Sequence, residues 1–380
     1  MNFYAELMVE LLNSTANNFS PEENYDHIRF GKMQEGAQAT LKRSIRRKIG
    51  KVFESRGYSV VSKYDMSNGY VAYRLRAMEP YLAGLEKLYN FLTDEGSKVL
   101  LLQLIAFRIL GFTKVKLPLN TPDFWNGIKE MEDLADNKRY VETKFIKWHL
   151  PFIDLHKKGI PVQLHLLPIG VYTDFFLKQY EFKRGATTIK AEKGDYVIDA
   201  GGCWGDTALY FANEVGEEGK VFTFEFIPSN LNILNTNLAL NPDLQERINL
   251  IDRPVWEVTN ETMYYTDNGP GSAVFMEEKQ PFDGKASSLS IDDLVTEYSI
   301  PKIDLIKMDI EGAEPYALKG ALNTIKKFKP KLAIAIYHSM EDFVNIPKFI
   351  HELGLGYELH LAHCSIHQEE SILFAEIPAR

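Results

Sequence analysis

The stretch that most constrains the fold of this chain is residues 197–207, Val-Ile-Asp-Ala-Gly-Gly-Cys-Trp-Gly-Asp-Thr. An apolar run that begins at Tyr196 ends at Asp199, three glycines follow, and a helical pattern begins near Thr207. A buried parallel strand, a tight glycine turn and a helix N-terminus in this order form the unit with which α/β folds bring their backbone close to a nucleotide. The stretch therefore predicts a nucleotide-binding α/β domain.

The spacing within the turn indicates the kind of ligand. It is Asp-x-Gly-x-x-x-Gly, whereas the dinucleotide-binding pattern is Gly-x-Gly-x-x-Gly. An acid at the tip of a strand repels a pyrophosphate but attracts an ammonium or a sulfonium group. S-adenosylmethionine (SAM), which carries both cationic groups, therefore suits this turn better than NAD.

Length, charge and cysteine content narrow the class of protein. At 380 residues the chain is long enough for two domains, and its formal charge of −9 disfavours binding to DNA, RNA or anionic lipid. Its two cysteines, Cys203 and Cys364, cannot form a zinc site alone and indicate a reducing compartment. No secretory signal pattern is visible, and the most apolar stretch, residues 99–112, is too short to span a bilayer. We therefore predict a cytoplasmic protein without a transmembrane segment or a nucleic-acid partner.

The N-terminal part of the chain differs in pattern from the rest. Its periodicity predicts a mostly helical N-terminal region over residues 1–160, followed by the nucleotide-binding domain over residues 161–380. In residues 41–53 an apolar stripe at helical spacing lies opposite a face rich in lysine and arginine. This basic helix either packs through its stripe with a solvated charged face or makes a peripheral contact with an anionic membrane surface.

From Asp195 onward, strand and helix patterns alternate. The predicted parallel strands are residues 196–200, 220–225, 248–251, 303–308 and 332–337, with a hairpin region over 263–266 and 287–291. The last two predicted strands, 357–362 and 372–377, have no room for a crossover helix between them and should be antiparallel neighbours. A helix over 340–353 should be kinked or split at Pro347. The pattern predicts a doubly wound sheet with a terminal antiparallel strand, the Rossmann-like architecture of class I methyltransferases.

Because ligands of open α/β sheets bind at the carboxyl ends of the strands, the residues at those ends are the candidates for function. These residues are Asp199, Glu225, Asp309 and His338. The Glu225 carboxylate is suited to accept hydrogen bonds from both hydroxyls of a ribose. Phe226 is suited to stack on adenine or to pack in the core, and Asp252 either accepts from the adenine amino group or is only solvated.

Four segments resemble the FkbM family of SAM-dependent methyltransferases. They are Val-Ile-Asp-Ala-Gly-Gly-Cys-Trp-Gly-Asp-Thr, Val-Phe-Thr-Phe-Glu-Phe, Ile-Asp-Leu-Ile-Lys-Met-Asp-Ile-Glu-Gly-Ala-Glu and Ala-Leu-Lys-Gly-Ala. The resemblance covers roughly residues 190–377, and its most specific part is residues 303–314. It implies methylation of a hydroxyl group on a sugar, a glycan or a natural product. It departs from the family at Phe226, where the family commonly has proline.

The resemblance also implies roles for individual positions. Asp199, Gly201, Gly205 and Glu225 would hold the cofactor, with Asp309 and Glu311 at the methyl-transfer end. Together with their neighbours in the same loops, the residues predicted to contact SAM are Asp199, Gly201, Gly202, Cys203, Gly205, Asp206, Thr207, Glu225, Phe226 and Asp252.

Methylation of an alcohol requires removal of its proton. His338 is the predicted base, because an unperturbed imidazole titrates near pH 6.5. As an alternative, Asp309 and Glu311 would hold a Mg²⁺ ion that acidifies the acceptor hydroxyl. A further alternative is that Asp309 orients the amino group of SAM and Glu311 caps the helix that starts near Gly312.

Two other classes of function compete with a methyltransferase. An NAD-dependent enzyme would share the acid at position 225, and a binding module would use the same fold without catalysis. The first should prefer the dinucleotide pattern in the turn, and the second should show little turnover with any acceptor.

Overall fold

The computed structural model describes residues 2–31, 68–278 and 281–378. The chain divides into two compact units. The first comprises residues 1–86, 101–120 and 365–368, and the second comprises residues 87–100, 121–364 and 369–380. The basic helix predicted at 41–53 lies outside the described residues. Within the described ranges, every helix is too short or too polar to cross a membrane.

The elements of regular structure described up to residue 110 are helices. They are α1 (Phe3–Thr15), α2 (Pro21–Asn24), α3 (His27–Phe30), α4 (Asn68–Met78), α5 (Leu82–Phe91) and α6 (Glu95–Leu110). The first unit is stabilised by apolar burial, since Leu101, Leu104 and Ile105 of α6 are almost completely buried. The Asn24 side-chain amide donates hydrogen bonds to two backbone carbonyls beyond the end of α6, which satisfies this buried polar group.

The second unit contains the remaining elements. Up to the glycine turn they are α7 (Pro122–Leu134), β1 (Asp136–Glu142), β2 (His149–Asp154), β3 (Gln163–His165), α8 (Pro168–Val171), β4 (Phe182–Arg184), β5 (Thr187–Ile189) and β6 (Tyr196–Ala200). After the turn they are α9 (Asp206–Val215), β7 (Lys220–Phe224), α10 (Pro228–Ala239), α11 (Pro242–Gln245), β8 (Ile248–Ile251), β9 (Thr262–Tyr265), β10 (Val274–Phe275), β11 (Gly284–Ser287), α12 (Ile291–Glu297), β12 (Leu305–Met308), α13 (Glu314–Lys319), α14 (Leu322–Phe328), β13 (Lys331–Ala335), α15 (Met340–Glu352), β14 (Glu358–His363) and β15 (Ser371–Glu376).

A seven-stranded sheet forms the centre of this unit. Its order is β14-β15-β13-β12-β6-β7-β8, and β15 alone runs antiparallel to both of its neighbours. The central strands are apolar on both faces because helices cover both sides, so Val197, Ile198 and Ile306 are completely buried. The predicted α/β sheet with a reversed strand near its end is confirmed. The arrangement places the carboxyl ends of β6, β7, β12 and β13 along one edge.

The smaller sheets refine the prediction. The short strand β3 pairs with β2 and not with the main sheet. The hairpin region is a three-stranded antiparallel sheet of order β10-β9-β11. A π-helical turn, Tyr172–Phe176, follows α8 directly.

Helix α15 is one continuous element and is not split at Pro347. Ser339 and Asp342 form a capping box at its start, which satisfies two backbone N–H groups. Its apolar face, with Phe343, Ile346 and Ile350, is almost completely buried. This packing stabilises the helix on both sides of the proline, although Pro347 itself cannot donate a helical hydrogen bond.

Candidate active site at the carboxyl ends of the strands

The glycine turn after β6 lies directly against the neighbouring strands. The backbone N–H groups of Gly201 and Gly202 both donate to the carbonyl of Phe224, at 3.1 and 2.8 Å. Gly201 has a φ of +92°, and a Cβ atom there would lie 2.0 Å from the backbone oxygen of Asp309. Only glycine fits this position, because both the backbone angle and the approach of the chain exclude a side chain.

A crevice of about 80 Å³ opens at this edge of the sheet. Six of the predicted site residues line it: Gly201, Cys203, Glu225, Phe226, Asp309 and Glu311. A larger cavity, of about 750 Å³, lies at the opposite edge beside Gly194, Gly216 and Arg247, which precede β6, β7 and β8. The smaller crevice is the better candidate, since ligands of open α/β sheets bind at the carboxyl ends of the strands.

Glu225 is held rigidly at the end of β7. Its Oε1 accepts hydrogen bonds from the backbone N–H groups of Phe226 and Ile227, at 2.8 and 2.7 Å, and its Oε2 accepts from the Asn230 amide at 3.3 Å. Burial raises the pKa of Glu225 to about 7, although these hydrogen bonds favour the ionised form. The carboxylate therefore faces the crevice in a fixed orientation, and Oε2 keeps lone pairs for a ligand.

Two residues predicted to contact adenine differ in their placement. Phe226 is half-buried, lines the crevice and makes an edge-to-face contact with Tyr265, with 5.4 Å between the ring centroids. Asp252 follows β8, is exposed and does not line the crevice. The structure thus brings Phe226, but not Asp252, to the same cavity as Glu225.

Asp199 points into the protein and is completely buried. Its carboxylate accepts hydrogen bonds from the hydroxyls of Thr207 and Thr223 and lies 3.0 Å from the Lys307 ammonium group. These partners enclose the carboxylate, and Thr207 contacts Asp199 rather than the open cavity.

Three further predicted residues follow Asp199 in the turn and at the start of the next helix. Cys203 and Asp206 are half-buried, and Gly205 is buried. Cys203 has a φ of +41°, and burial raises the pKa of its thiol well above its ordinary value. Gly205 precedes Asp206, the first residue of α9. Burial raises the pKa of Asp206, whose Oδ1 has no hydrogen-bond partner among the described residues.

Asp309 forms the centre of a polar cluster at the end of β12. The hydroxyls of Tyr180 and Tyr337 donate to its two carboxylate oxygens, at 2.9 and 3.0 Å. Nε2 of His338 lies 3.3 Å from Oδ1 of the same carboxylate. Burial alone would raise the pKa of Asp309, but His338 and Lys307 outweigh it and hold the pKa below its ordinary value.

His338 lies between carboxylates on both sides. Its Nδ1 is 3.2 Å from Glu314, and its Nε2 is 3.3 Å from Asp309 and 3.8 Å from Glu311. The N–H groups do not point squarely at the nearest oxygens, so these contacts are ion pairs rather than well-formed hydrogen bonds. Burial alone would lower the pKa of His338, but the adjacent carboxylates raise it to about 11. The unperturbed imidazole on which the prediction of a base rested is therefore not the state of this side chain.

Glu311 is the most accessible carboxylate of the cluster, with 37% of its side chain exposed. It has a φ of +57°, an uncommon conformation for a residue with a side chain and one often associated with functional sites. Burial raises the pKa of Glu311 to about 7. Glu311 does not cap the following helix, because the N-cap residue of α13 is Ala313 and no side chain makes a cap hydrogen bond there. Glu314, the first residue of α13, accepts a hydrogen bond from the backbone N–H of Ile310 in the preceding loop at 2.7 Å.

The predicted Mg²⁺ site of Asp309 and Glu311 does not fit these contacts. The donors that lie within 4.8 Å of one another among the described residues belong to Asp309, Glu314 and His338. This set includes a nitrogen, whereas Mg²⁺ prefers oxygen ligands and water, and both oxygens of Asp309 already accept tyrosine hydroxyls. We therefore derive no catalytic step through Mg²⁺.

Five residues that sequence reasoning did not place in the site contribute to it. They are Lys307, Tyr180, Asn230, Tyr337 and Glu314. For Lys307 a signal existed, since a lysine within a buried strand requires a partner. Tyr180 is separated from Asp309 by more than a hundred residues in the chain, and nothing local to its sequence indicates the contact.

Comparisons with known proteins agree with this architecture. Residues 189–359 match the family model described as the Methyltransferase FkbM domain. A crystal structure of the methyltransferase FkbM from Methylobacillus flagellatus matches with a TM-score of 0.50 at 18% identity, over 87% of this chain and 70% of that chain. No curated protein sequence matches. At this identity the structural match shows the fold, that of a class I SAM-dependent methyltransferase.

Two other solved structures match over a smaller part of the chain. The fibrillarin of Aeropyrum pernix, in complex with SAM, has a TM-score of 0.32 at 13% identity, over 62% of this chain and 99% of that chain. A SAM-dependent O-methyltransferase of Thermotoga maritima has a TM-score of 0.31 at 16% identity, over 50% of this chain and 62% of that chain.

Proposed function

We propose that this chain, in which residues 189–359 match the FkbM methyltransferase family, transfers a methyl group from SAM to a hydroxyl group of a sugar, a glycan or a natural product. The observation that carries this proposal is the crevice shared by Glu225 and Glu311. The carboxylate of Glu225 is positioned to bind a ribose, and the carboxylate of Glu311 is accessible to a second ligand. A cavity with both features suits a reaction that brings two small molecules together.

The chain's own groups provide a fitting cradle for SAM. Glu225, fixed by Asn230 and two backbone N–H groups, would accept hydrogen bonds from the ribose hydroxyls. The turn at Gly201 allows the backbone to approach the ligand, and Phe226 offers an aromatic ring at the same cavity. When bound, SAM supplies an activated methyl group on a cationic sulfur.

We assign proton removal from the acceptor hydroxyl to Glu311. Its carboxylate is accessible, it lines the crevice, and a pKa of about 7 matches the requirement for a base at neutral pH. His338 is protonated at that pH and cannot accept a proton. In this assignment His338 and Asp309 act as positioning residues, because their ion pair fixes the loop on which Glu311 lies.

The raised pKa of Glu225 predicts a pH dependence of cofactor binding. We expect the affinity for SAM to fall as the pH is lowered through about 7, because the ribose hydroxyls are bound best by the ionised carboxylate. The Glu225→Gln variant should lose this dependence and bind SAM about tenfold more weakly at pH 8. Calorimetry between about pH 6 and 8 measures both effects. An unchanged pH dependence in the variant would exclude Glu225 as its source.

Ligand binding separates the proposed function from the competing classes. A methyltransferase should be stabilised against heat by SAM and by S-adenosylhomocysteine but not by NADH. A binding module should bind these ligands weakly or not at all, or show no turnover with any acceptor. Where SAM binds, incubation with glycans and detection of a methyl gain by mass spectrometry tests the reaction. Turnover should be equal with and without EDTA, and a loss that Mg²⁺ restores would contradict the assignment of proton removal to Glu311 alone.

A further inference from the structure

Lys307 is a buried cation directly beneath the glycine turn. It lies on β12 in register with Asp199 on the adjacent strand β6, and both side chains are at most 1% exposed. Its ammonium group lies 3.0 Å from Asp199 and donates hydrogen bonds to the backbone carbonyls of Ala200 and Gly201, at 3.2 and 2.7 Å. The Tyr180 ring centroid lies 5.2 Å away. The cation thus holds the end of β6 and the first residue of the turn together.

The anion of this pair is equally enclosed. Thr207 of α9 and Thr223 of β7 both donate hydroxyl hydrogen bonds to Asp199. These contacts join two strands and one helix at the point where the turn begins. A buried carboxylate with such partners is a poor direct ligand, since a new contact would require loss of an existing one.

We infer that Lys307 is a positioning residue that fixes the cofactor turn and neutralises Asp199, so that the Asp199–Lys307 pair sets how strongly the site prefers a cationic methyl donor over its neutral product. The inference rests on the proposed function. From the sequence alone, Asp199 is expected to attract the donor directly. In the inferred arrangement Asp199 attracts the sulfonium, Lys307 repels it, and the two effects largely cancel.

The chemistry of the two ligands makes this balance measurable. SAM carries a sulfonium charge that S-adenosylhomocysteine lacks, and the two molecules are otherwise nearly identical. An uncompensated charge in a buried site acts on that sulfonium over several ångströms, because screening is weak there. A general distortion of the turn would weaken the binding of both ligands to the same extent. The ratio of the two dissociation constants therefore reports the charge of the pair rather than the integrity of the fold.

The experiment compares the wild-type chain with Asp199→Asn and with the double variant Asp199→Asn/Lys307→Met, using calorimetry with SAM and S-adenosylhomocysteine. Asparagine removes the charge that is paired directly with Lys307, and the carbonyls of Ala200 and Gly201 still hold the ammonium group in place. The carboxylates of Asp309 and Asp206, which also attract Lys307, are unchanged in every variant. We expect the preference for SAM over S-adenosylhomocysteine to fall about fivefold in the single variant. Removal of the cation in the double variant should return the ratio to within about twofold of the wild type.

A matched control exists at the opposite edge of the sheet. Asp195 and Lys331 form an ion pair at the same 3.0 Å separation, before β6 and at the start of β13. This pair lies about 15 Å from the crevice, measured along the strands. Asp195→Asn removes the same charge as Asp199→Asn, but it should leave the ratio of the two dissociation constants unchanged. Thermal unfolding of every variant identifies those that are not folded.

Two outcomes would overturn the inference. A double variant in which the ratio stays as low as in Asp199→Asn would show that Asp199 attracts the donor directly and that Lys307 does not balance it. A single variant with the wild-type ratio would show that the pair does not act on the ligand charge. If the wild-type chain binds neither ligand, the proposed function itself fails, and this inference fails with it.

Discussion

The Glu311→Gln variant is expected to lower kcat by about 10²–10⁴-fold while the KM for the acceptor changes little. Glutamine keeps the size of the side chain but cannot accept the hydroxyl proton. In the wild-type enzyme, kcat should rise with pH through about 7 and level off above it, because the base acts only when it is deprotonated. The variant should lose this rise. Steady-state kinetics with an acceptor found by mass spectrometry measure both effects.

Two controls make this result specific to the proposed base. Glu297→Gln, an exposed position at the end of α12, should leave kcat unchanged. Calorimetry should show that Glu311→Gln still binds S-adenosylhomocysteine with wild-type affinity, since Glu311 is assigned to the acceptor. A variant that retains full kcat would remove Glu311 from the mechanism.

The Gly201→Ala variant is expected to lose about 2–4 kcal/mol of unfolding free energy and at least about tenfold in affinity for S-adenosylhomocysteine. Two costs combine at this position. The φ of +92° is unfavourable for alanine, and the new Cβ would lie 2.0 Å from the backbone oxygen of Asp309. The clash involves backbone, so a side-chain rotation cannot relieve it, and the turn or the end of β12 must move.

Gly194→Ala separates these two costs. Gly194 has a φ of +84°, but a Cβ there meets no atom within 4 Å. This control should lose only about 1 kcal/mol, the cost of the backbone conformation, and should bind S-adenosylhomocysteine normally. Urea unfolding and calorimetry measure both variants. Equal losses of stability at the two positions would contradict the role of the close approach to Asp309.

The residues of the glycine turn and the neighbouring strand ends show how far local sequence reasoning reaches. The strand at 196–200, the turn at Gly201 and the acid at the end of β7 depend on apolar runs and on glycine spacing, which are local properties. The same reasoning predicted the roles of Asp199 and His338 less well. In isolation an aspartate at a strand tip looks available to a ligand, and a histidine looks like a base.

His338 illustrates the limit most clearly. The pKa of an imidazole depends on its neighbours, and two of its carboxylate neighbours come from the loop and helix after β12, while the histidine follows β13. The spacing of these residues in the chain does not predict that Glu314, and not Glu311, lies closest to Nδ1 of His338. Only the packing of α13 against the sheet edge determines that distance, and with it the protonation state.

For this protein the sequence alone determined the order along the chain of the strands and helices from Tyr196 onward, the reversed strand near the end of the sheet, and the position of the glycine turn. Those features follow from periodicity and from backbone constraints that act over a few residues. The tertiary structure alone decided that Lys307 neutralises Asp199, that His338 is held as a cation, and that Glu311 is left accessible. The physical reason is that burial and electrostatic interactions depend on distances between side chains that are remote in the chain.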